Sequence, residues 1–247
     1  FWPVALVLLV SSIYLRGFIG AHRSTPERFP IWRAGSFILG QFLLLYAILS
    51  PLDELGGFLL SAHMIQHLLM LGVIPPLILM GAPGIPMLRG LPATVRKDWL
   101  GPFLADSGVQ GFFRALVHPI TGWLGMVLST WLWHVSFFYE LALVDPFWHE
   151  VEHACFLFFG VLFWFPVIQP WPTHSIWPRW AMIPYLLLAD IQNTIFSAFF
   201  SFAPGVIYPI YSKVSPAFGV DPLQDQALAG GSCGFPDRSS SSHRSRL

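Results

Sequence analysis

The amino-acid sequence predicts an all-α integral membrane protein, a polytopic bundle of transmembrane helices. Three observations lead to this class: 55% of the 247 residues are hydrophobic, 11% are charged, and the mean hydropathy is +0.62. A soluble domain carries about 25% charged residues, so 13 basic and 13 acidic side chains are too few to cover a water-facing surface of this size. The zero net charge argues against a nucleic-acid partner, and the two cysteines argue against a disulfide scaffold.

Six stretches of the chain are apolar for long enough to cross a bilayer, which takes roughly 20 residues in a helix. Their apolar runs are continuous and do not alternate with the period of barrel strands. We therefore expect six helices in contact with membrane lipid. They are Trp2–Ile19, Ala34–Leu49, Gly56–Met80, Ala115–Phe138, Phe147–Ile168 and Trp180–Ala203.

Basic residues determine the predicted orientation of these spans. They concentrate in the loops after spans one, three and five: Arg16, Arg23, Arg28, Arg33, Arg89, Arg96, Lys97, Arg114 and Arg179. The alternate loops are mainly acidic and contain Asp53, Glu54, Glu140, Asp145 and Lys213. The positive-inside rule therefore predicts that the basic loops face the cytoplasm and that the first residues lie outside.

Histidines concentrate at one depth of the predicted bundle. His63 and His67 lie one turn apart on one face of the third span, and His149 and His153 repeat this spacing in the fifth. His134 lies late in the fourth span. Because spans three and five enter from the outside and span four exits there, we expect all five imidazoles in the outer half of the membrane.

This set of imidazoles is suited to binding a metal ion. Two His-x-x-x-His pairs on facing helices have the geometry to chelate one ion, or two. Neutral imidazole suits copper, zinc and iron, and a thioether favours Cu(I). We predict a copper site, with zinc or haem as alternatives, formed by His63, His67, His134, His149 and His153. Each histidine taken alone is also compatible with a packing residue that is hydrogen-bonded across helices.

Four further side chains are candidate accessory groups. Met70 follows His67 by three residues and is expected on the same face. Glu150 and Glu152 flank the second histidine pair, and either could orient an imidazole by accepting its other N–H. Asp190 lies near the middle of the sixth span, where an ionisable residue is a functional candidate. Packing is the alternative for Met70 and Asp190, and exposure at the helix mouth is the alternative for the two glutamates.

The segment His63–Pro83, HMIQHLLMLGVIPPLILMGAP, resembles the CtaG family of polytopic bacterial cytochrome c oxidase assembly factors. Further segments agree: WLWH at 131–134, HEVEH at 149–153, FWFP at 163–166, AD at 189–190 and YPIY at 208–211. The resemblance runs from Trp2 to about Gly230. It implies a seven-helix, non-enzymatic, multi-pass protein of the bacterial plasma membrane that is needed to make an active haem–copper oxidase and handles copper. The implied partners are cytochrome c oxidase subunits and a copper chaperone.

The end of the chain departs from this family pattern. The family has a last helix that begins with a Met-Trp-Val-Pro-Gly-like run, whereas here SCGFPDR and a Ser/Arg tail follow Gly231. With one choice of codons for 232–236, reading from the third base of the Ser232 codon gives Met-Trp-Val-Pro-Gly, so we expect an out-of-frame tail and a missing seventh helix. A genuine polar tail is the alternative. We therefore expect one helical membrane domain over 1–224 and a polar, out-of-frame or disordered tail over 225–247, in which Cys233 is not a ligand.

Two alternative functions use the same histidines. A membrane haem protein would use histidines of different helices as the two axial ligands, although paired histidines crowd one face. A metal-dependent membrane hydrolase would use His149-Glu150-Val151-Glu152-His153 as an H-E-x-x-H motif with Glu150 as the base. The motif is short enough to arise by chance, and a catalytic zinc needs only three protein ligands and an open position.

Overall fold

A computed structural model describes residues 2–174 and 176–234, and these residues form helices joined by short loops. In chain order the α-helices are α1 (Trp2–Ser24), α2 (Ile31–Leu49), α3 (Pro51–Gly56), α4 (Leu60–Leu68), α5 (Ile74–Met80), α6 (Gly84–Gly90), α7 (Gly101–Ala105), α8 (Ser107–Leu116), α9 (Pro119–Trp133), α10 (Ser136–Val144), α11 (Pro146–Ile168), α12 (Met182–Ser201), α13 (Pro209–Val214) and α14 (Pro222–Gly234). Leu69–Val73 and Val95–Leu100 are π-helical, and Arg179–Ala181 and Ser215–Phe218 are 3-10 turns.

Five helical segments of the described chain are long and apolar enough to cross a membrane: Trp2–Ser24, Ile31–Leu49, Leu60–Met80, Pro146–Ile168 and Arg179–Ser201. The pair α8 and α9 passes the same test together and, if it forms one bent span, makes a sixth. The all-helical membrane class and up to six spans therefore agree with the sequence prediction.

The predicted fourth span, Ala115–Phe138, is broken in the structure. Helix α8 ends before His118, and α9 leaves the junction at an angle of 57°. Pro119 has no N–H to donate and disfavours helical geometry in the residue before it, so His118 is extended (φ −66°, ψ 137°). The Nδ1 of His118 accepts a hydrogen bond from the N–H of Ile120 (3.3 Å) and thereby caps α9.

The third span contains a π-helical turn that ends at Val73, two residues before Pro75. A proline in a helix leaves the carbonyl four residues earlier without its N–H partner, which here is the carbonyl of Leu71. The Nε1 of Trp164 on α11 donates to this oxygen at 2.9 Å. A neighbouring helix therefore satisfies the backbone group that the proline frees, as membrane bundles require.

Helix α11 packs against both α9 and the third span. Glycines permit the close approach: a Cβ on Gly122 of α9 would lie 2.5 Å from the carbonyl oxygen of Leu162. A Cβ on Gly160 of α11 would lie 2.8 Å from Pro75 and 3.0 Å from the carbonyl oxygen of Met70. The histidine-bearing helices are thus in direct backbone contact, as small residues allow in membrane helix packing.

The C-terminal helix α14 differs from the expected polar tail. It packs against α12 and α4, and Ala229 is part of a buried cluster with Phe196 and Phe200 of α12. Two polar side chains at the start of this helix, Asp225 and Gln226, lie inside the bundle and are 2% and 1% exposed. The side chain of Cys233 and residues 235–247 lie outside what the structure describes, so the predicted character of the remaining tail stays a prediction.

Candidate metal centre

The structure brings all five predicted histidines together. His63 and His67 extend from α4, His149 and His153 from α11, and His134 follows the last residue of α9. The ring centroids of each i, i+4 pair are 4.2 Å apart. Between helices, the centroids of His63 and His149 are 5.6 Å apart, and those of His67 and His134 are also 5.6 Å apart.

Glu152 lies between the two histidines of α4. Its Oε2 is 3.6 Å from His63 Nε2, and its Oε1 is 3.6 Å from His67 Nε2. We call these three residues the buried triad, because their side chains are 0–4% exposed. Their ligand atoms all lie within 4.8 Å of one another.

The polar atoms of the buried triad are not satisfied by the described protein. Both ring nitrogens of His63, both of His67 and both carboxylate oxygens of Glu152 have no hydrogen-bond partner among the described residues. Burial of a polar group without a partner costs free energy, and native proteins rarely leave one so. One ligand atom from each of the three residues, all within 4.8 Å of one another, fits a bound cation, for which imidazole and carboxylate are common ligands.

A second set of donors adjoins the first. Asp53 of α3 and His149 and His153 of α11 also have ligand atoms within 4.8 Å of one another, and we call them the cavity triad. They line a cavity of about 340 Å³. The Nε2 atoms of both histidines are buried and have no partner among the described residues. Asp53 is held from behind by Gln66, whose Nε2 donates to its Oδ1 at 2.6 Å.

The unprotonated ring nitrogen of His134 faces the sulfur of Met64. Its Nδ1 is 2.6 Å from the carbonyl oxygen of Thr130. A carbonyl only accepts hydrogen bonds, so Nδ1 carries the proton of the neutral ring and Nε2 does not. That Nε2 lies 3.3 Å from the Sδ of Met64. Two unprotonated donors therefore face one another, an imidazole nitrogen and a soft sulfur.

Buried tyrosines hold the backbone around the histidines. The hydroxyl of Tyr208 donates to the carbonyl of His134 (2.9 Å), and that of Tyr211 donates to the carbonyl of Gly56 (2.8 Å). Tyr139 stacks on Tyr208 at 3.8 Å and shares a 2.9 Å hydrogen bond with Tyr211. Burial raises the pKa of both Tyr208 and Tyr211, so these hydroxyls stay protonated and serve as donors.

The predicted accessory residues occupy different places. Glu152 lies in the buried triad, whereas Glu150 is exposed and accepts a hydrogen bond from Trp2 Nε1 at 3.2 Å. Met70 is fully buried in a hydrophobic cluster and lines the cavity beside the cavity triad. Asp190 is exposed at a second cavity of about 260 Å³, which His67 and His134 also line.

Two further residues of the centre were not predicted from the sequence as site residues. Asp53 entered the sequence analysis only as an acidic loop residue, and Gln66 was not singled out. The available signal was that Asp53 belongs to a loop at the predicted depth of the histidines. Gln66 lies between His63 and His67 in the chain. Its amide donates to the carbonyl of Ala47 at 2.7 Å and to Asp53, and these contacts depend on how α3 folds.

Comparison with known proteins shows where this chain belongs. A family model described as cytochrome c oxidase caa3 assembly factor matches residues 12–237. An uncharacterized protein of Mycobacterium leprae is 26% identical over 206 residues, which cover 81% of this chain and 30% of that protein. Uncharacterized proteins of Mycobacterium bovis and Mycobacterium tuberculosis are each 26% identical over 236 residues, which cover 88% of this chain and 33% of those proteins.

The chain thus spans about a third of the length of these relatives. No solved structure matches it. The family match, by contrast, extends over nearly the whole chain and includes every residue of both triads. This protein therefore belongs to the CtaG family of cytochrome c oxidase caa3 assembly factors.

Proposed function

We propose that this protein supports the assembly of a haem–copper cytochrome c oxidase by holding a copper ion in its histidine cluster. The observation that carries the proposal is the buried triad, where six polar atoms lack partners among the described residues. Copper would be cargo for the oxidase. The residues that would hold it are His63, His67 and Glu152, with His134 at their edge.

The donor chemistry supports copper. Imidazole nitrogens bind copper in either common oxidation state, and a thioether favours Cu(I). The Nε2 of His134 and the Sδ of Met64, 3.3 Å apart, supply one donor of each kind at the edge of the 260 Å³ cavity. Zinc remains the alternative ion, because the two histidines and one carboxylate of the buried triad also suit zinc.

The surroundings of the histidines argue against haem. Aromatic side chains pack against the two imidazoles of α4: the ring centroids of Phe156 and His67 are 4.2 Å apart, and those of Tyr139 and His63 are 5.1 Å apart. A porphyrin between two axial histidines needs an open apolar slot there. We therefore propose a role with a bare metal ion.

A non-enzymatic role agrees with the family and with the positions of Glu150 and Glu152. The H-E-x-x-H interpretation needs Glu150 as the base beside the metal. Glu150 does line the cavity of His149 and His153, but its Oε1 accepts a hydrogen bond from Trp2 Nε1 at 3.2 Å, and it belongs to neither triad. The carboxylate that reaches the histidines is Glu152, which lies 3.6 Å from both imidazoles of α4. Such an arrangement favours metal retention over hydrolysis.

The proposed setting is the bacterial plasma membrane, with oxidase subunits as partners and a copper chaperone as the donor of the ion. Apolar side chains on the spans are exposed in the isolated chain, among them Phe42, Leu128 and Ile183. Membrane lipid would cover them, because such a surface is too apolar for water.

The experiment that tests the proposal measures copper and oxidase activity together. The full chain would be expressed in bacteria that lack their own copy of this factor, grown with copper, and purified in detergent for elemental analysis. We expect copper in the wild-type protein and a large loss in His63→Asn and His67→Asn, because each removes a ligand of a buried site. Oxidase activity in the membranes is expected to fall in parallel.

The matched control is His118→Asn. His118 caps α9 away from the cluster, and asparagine keeps an N-cap acceptor, so copper and oxidase activity should stay at the wild-type level. Equal amounts of each variant in the membrane show that folding is intact. Full copper retention in both His63→Asn and His67→Asn would show that the cluster is packing and would refute the proposal.

A further inference from the structure

The five histidines do not form one symmetrical ligand set. Among the described residues, the groups whose ligand atoms all lie within 4.8 Å of one another are the buried triad and the cavity triad. Each contains two histidines from one helix and one carboxylate from another. No group in the described chain that joins the histidines of both helices meets the same distance.

Distances between the rings support this division. The centroids are 4.2 Å apart within each pair, but 5.6 Å for His63 and His149, 5.9 Å for His67 and His153 and 6.4 Å for His63 and His153. The two triads are therefore neighbours that do not share an imidazole.

We infer that the chain binds a second metal ion, a divalent first-row cation such as Cu²⁺, at Asp53, His149 and His153. This inference rests on the proposed function, since it adds a second metal position beside the buried triad. The donor set is two imidazoles and one carboxylate, which suits Cu²⁺, Zn²⁺ and Fe²⁺. The Nε2 atoms of both histidines are buried without a partner among the described residues.

The surroundings of the cavity triad supply the orientation that such a site needs. Metal-ligating carboxylates are generally held by a further hydrogen bond, and Gln66 donates to Asp53 Oδ1 at 2.6 Å. The same amide nitrogen is anchored on the carbonyl of Ala47 at 2.7 Å. Gln66 is thus a positioning residue for the second site, although it lies between the two histidines of the buried triad in the chain.

The two sites differ in access. Asp53 and His149 are half-buried and line the 340 Å³ cavity, whereas all three residues of the buried triad are buried. The cavity triad is thus the more accessible of the two from the 340 Å³ cavity, whereas the buried triad meets the separate 260 Å³ cavity through His67.

The test is metal stoichiometry of the full chain, purified in detergent and stripped with a chelator. CuSO₄ in air is the probe, because it keeps copper divalent, and bound copper is counted by elemental analysis after gel filtration. We expect two ions per chain in the wild type and one in Asp53→Asn, which keeps the shape of the side chain but removes its charge. His149→Asn is the second variant and should also retain one ion.

The matched control is Glu54→Gln. Glu54 is the next residue on the same short helix and is exposed, so the control should retain two ions. Melting temperatures within error of the wild type show that each variant is folded. A Gln66→Leu variant should bind the second ion about 10- to 100-fold more weakly, as loss of an orienting partner does at other metal sites.

The outcomes separate the two proposals. The second site would be overturned if the wild type and Asp53→Asn each bound one ion per chain and His63→Asn bound none. That result would leave the copper proposal intact. Loss of both ions in a folded Asp53→Asn would also overturn the second site, because the ligands would then form one site. No copper in the wild type would refute the proposed function itself.

Discussion

Asp225 connects the C-terminal helix to the helix that carries His63 and His67. The first turn of α4 has no side-chain cap of its own, and Asp225 supplies one from α14. Its Oδ2 accepts the N–H of Leu60 at 2.6 Å, and its Oδ1 accepts the hydroxyl of Ser61 at 2.5 Å. We predict that Asp225→Ala lowers the free energy of unfolding and weakens copper retention, because the start of α4 loses its anchor.

The expected loss of stability follows from the two hydrogen bonds. In soluble proteins a bond to a charged group contributes about 1.5–3 kcal/mol, which would give about 3–6 kcal/mol for two. Hydrogen bonds between membrane helices average about 0.6 kcal/mol and reach about 1.7 kcal/mol. The smaller range applies here, because the freed groups of a membrane protein find other partners when the helices separate. We expect a loss of about 1–3 kcal/mol.

The assay is unfolding of the detergent-solubilised full chain by a denaturing detergent, followed by circular dichroism, with copper content measured on the same samples. Asp225→Asn should lose less stability than Asp225→Ala, since the amide oxygen still accepts one bond. The matched control is Asp221→Ala: Asp221 is exposed and caps α14 itself, through the N–H of Leu223 at 2.8 Å. This variant should also lose stability, by about 0.5–2 kcal/mol, but should keep the copper content of the wild type, because Asp221 does not hold α4. Wild-type stability and copper content in Asp225→Ala would refute this account of the cap.

Four further predictions concern orientation, backbone satisfaction, helix contact and pH. An impermeant thiol reagent should label Asp145→Cys but not Arg96→Cys in intact cells, because basic loops stay in the cytoplasm; labelling at position 96 would reverse the orientation. Trp164→Phe should cost about 1 kcal/mol of unfolding free energy, since the carbonyl of Leu71 loses its donor, and an unchanged value would show that this bond contributes nothing. Gly122→Ala should cost about 1–3 kcal/mol in the same assay by pushing α9 away from α11, whereas wild-type stability would mean that the helices separate freely. Bound copper should be released progressively on dialysis into acid, because protons compete with the metal for imidazole nitrogen, and a copper content that does not change with pH down to acid unfolding would argue against histidine ligands.

Local sequence properties predicted the class of this protein, its apolar spans and the helix faces that carry its histidines. An apolar run of about 20 residues needs no tertiary information to indicate a membrane helix. The i, i+4 spacing of His149 and His153 places them on one face whatever surrounds the helix. The same spacing rule also favours Glu152 over Glu150, because a residue three positions after His149 shares its face, while the next residue is turned by about 100°.

The tertiary structure decided which side chains meet the histidines. Met70 was expected on the face of His67, three residues away, but its side chain lies in a buried hydrophobic cluster with Phe156 and lines the cavity of His149 and His153. The sulfur that reaches an imidazole is that of Met64, which contacts His134 of another helix.

Asp53 and Asp225 show why the sequence alone does not predict the partners of buried polar groups. Asp53 joins the histidines because the short helix α3 folds back beside α4, and Asp225 caps α4 from a position 165 residues further along the chain. Burial in lipid and helical periodicity act on neighbours in sequence, so they can be inferred from the chain alone. Partners for buried polar groups are chosen by packing between distant segments, and only the folded bundle determines them.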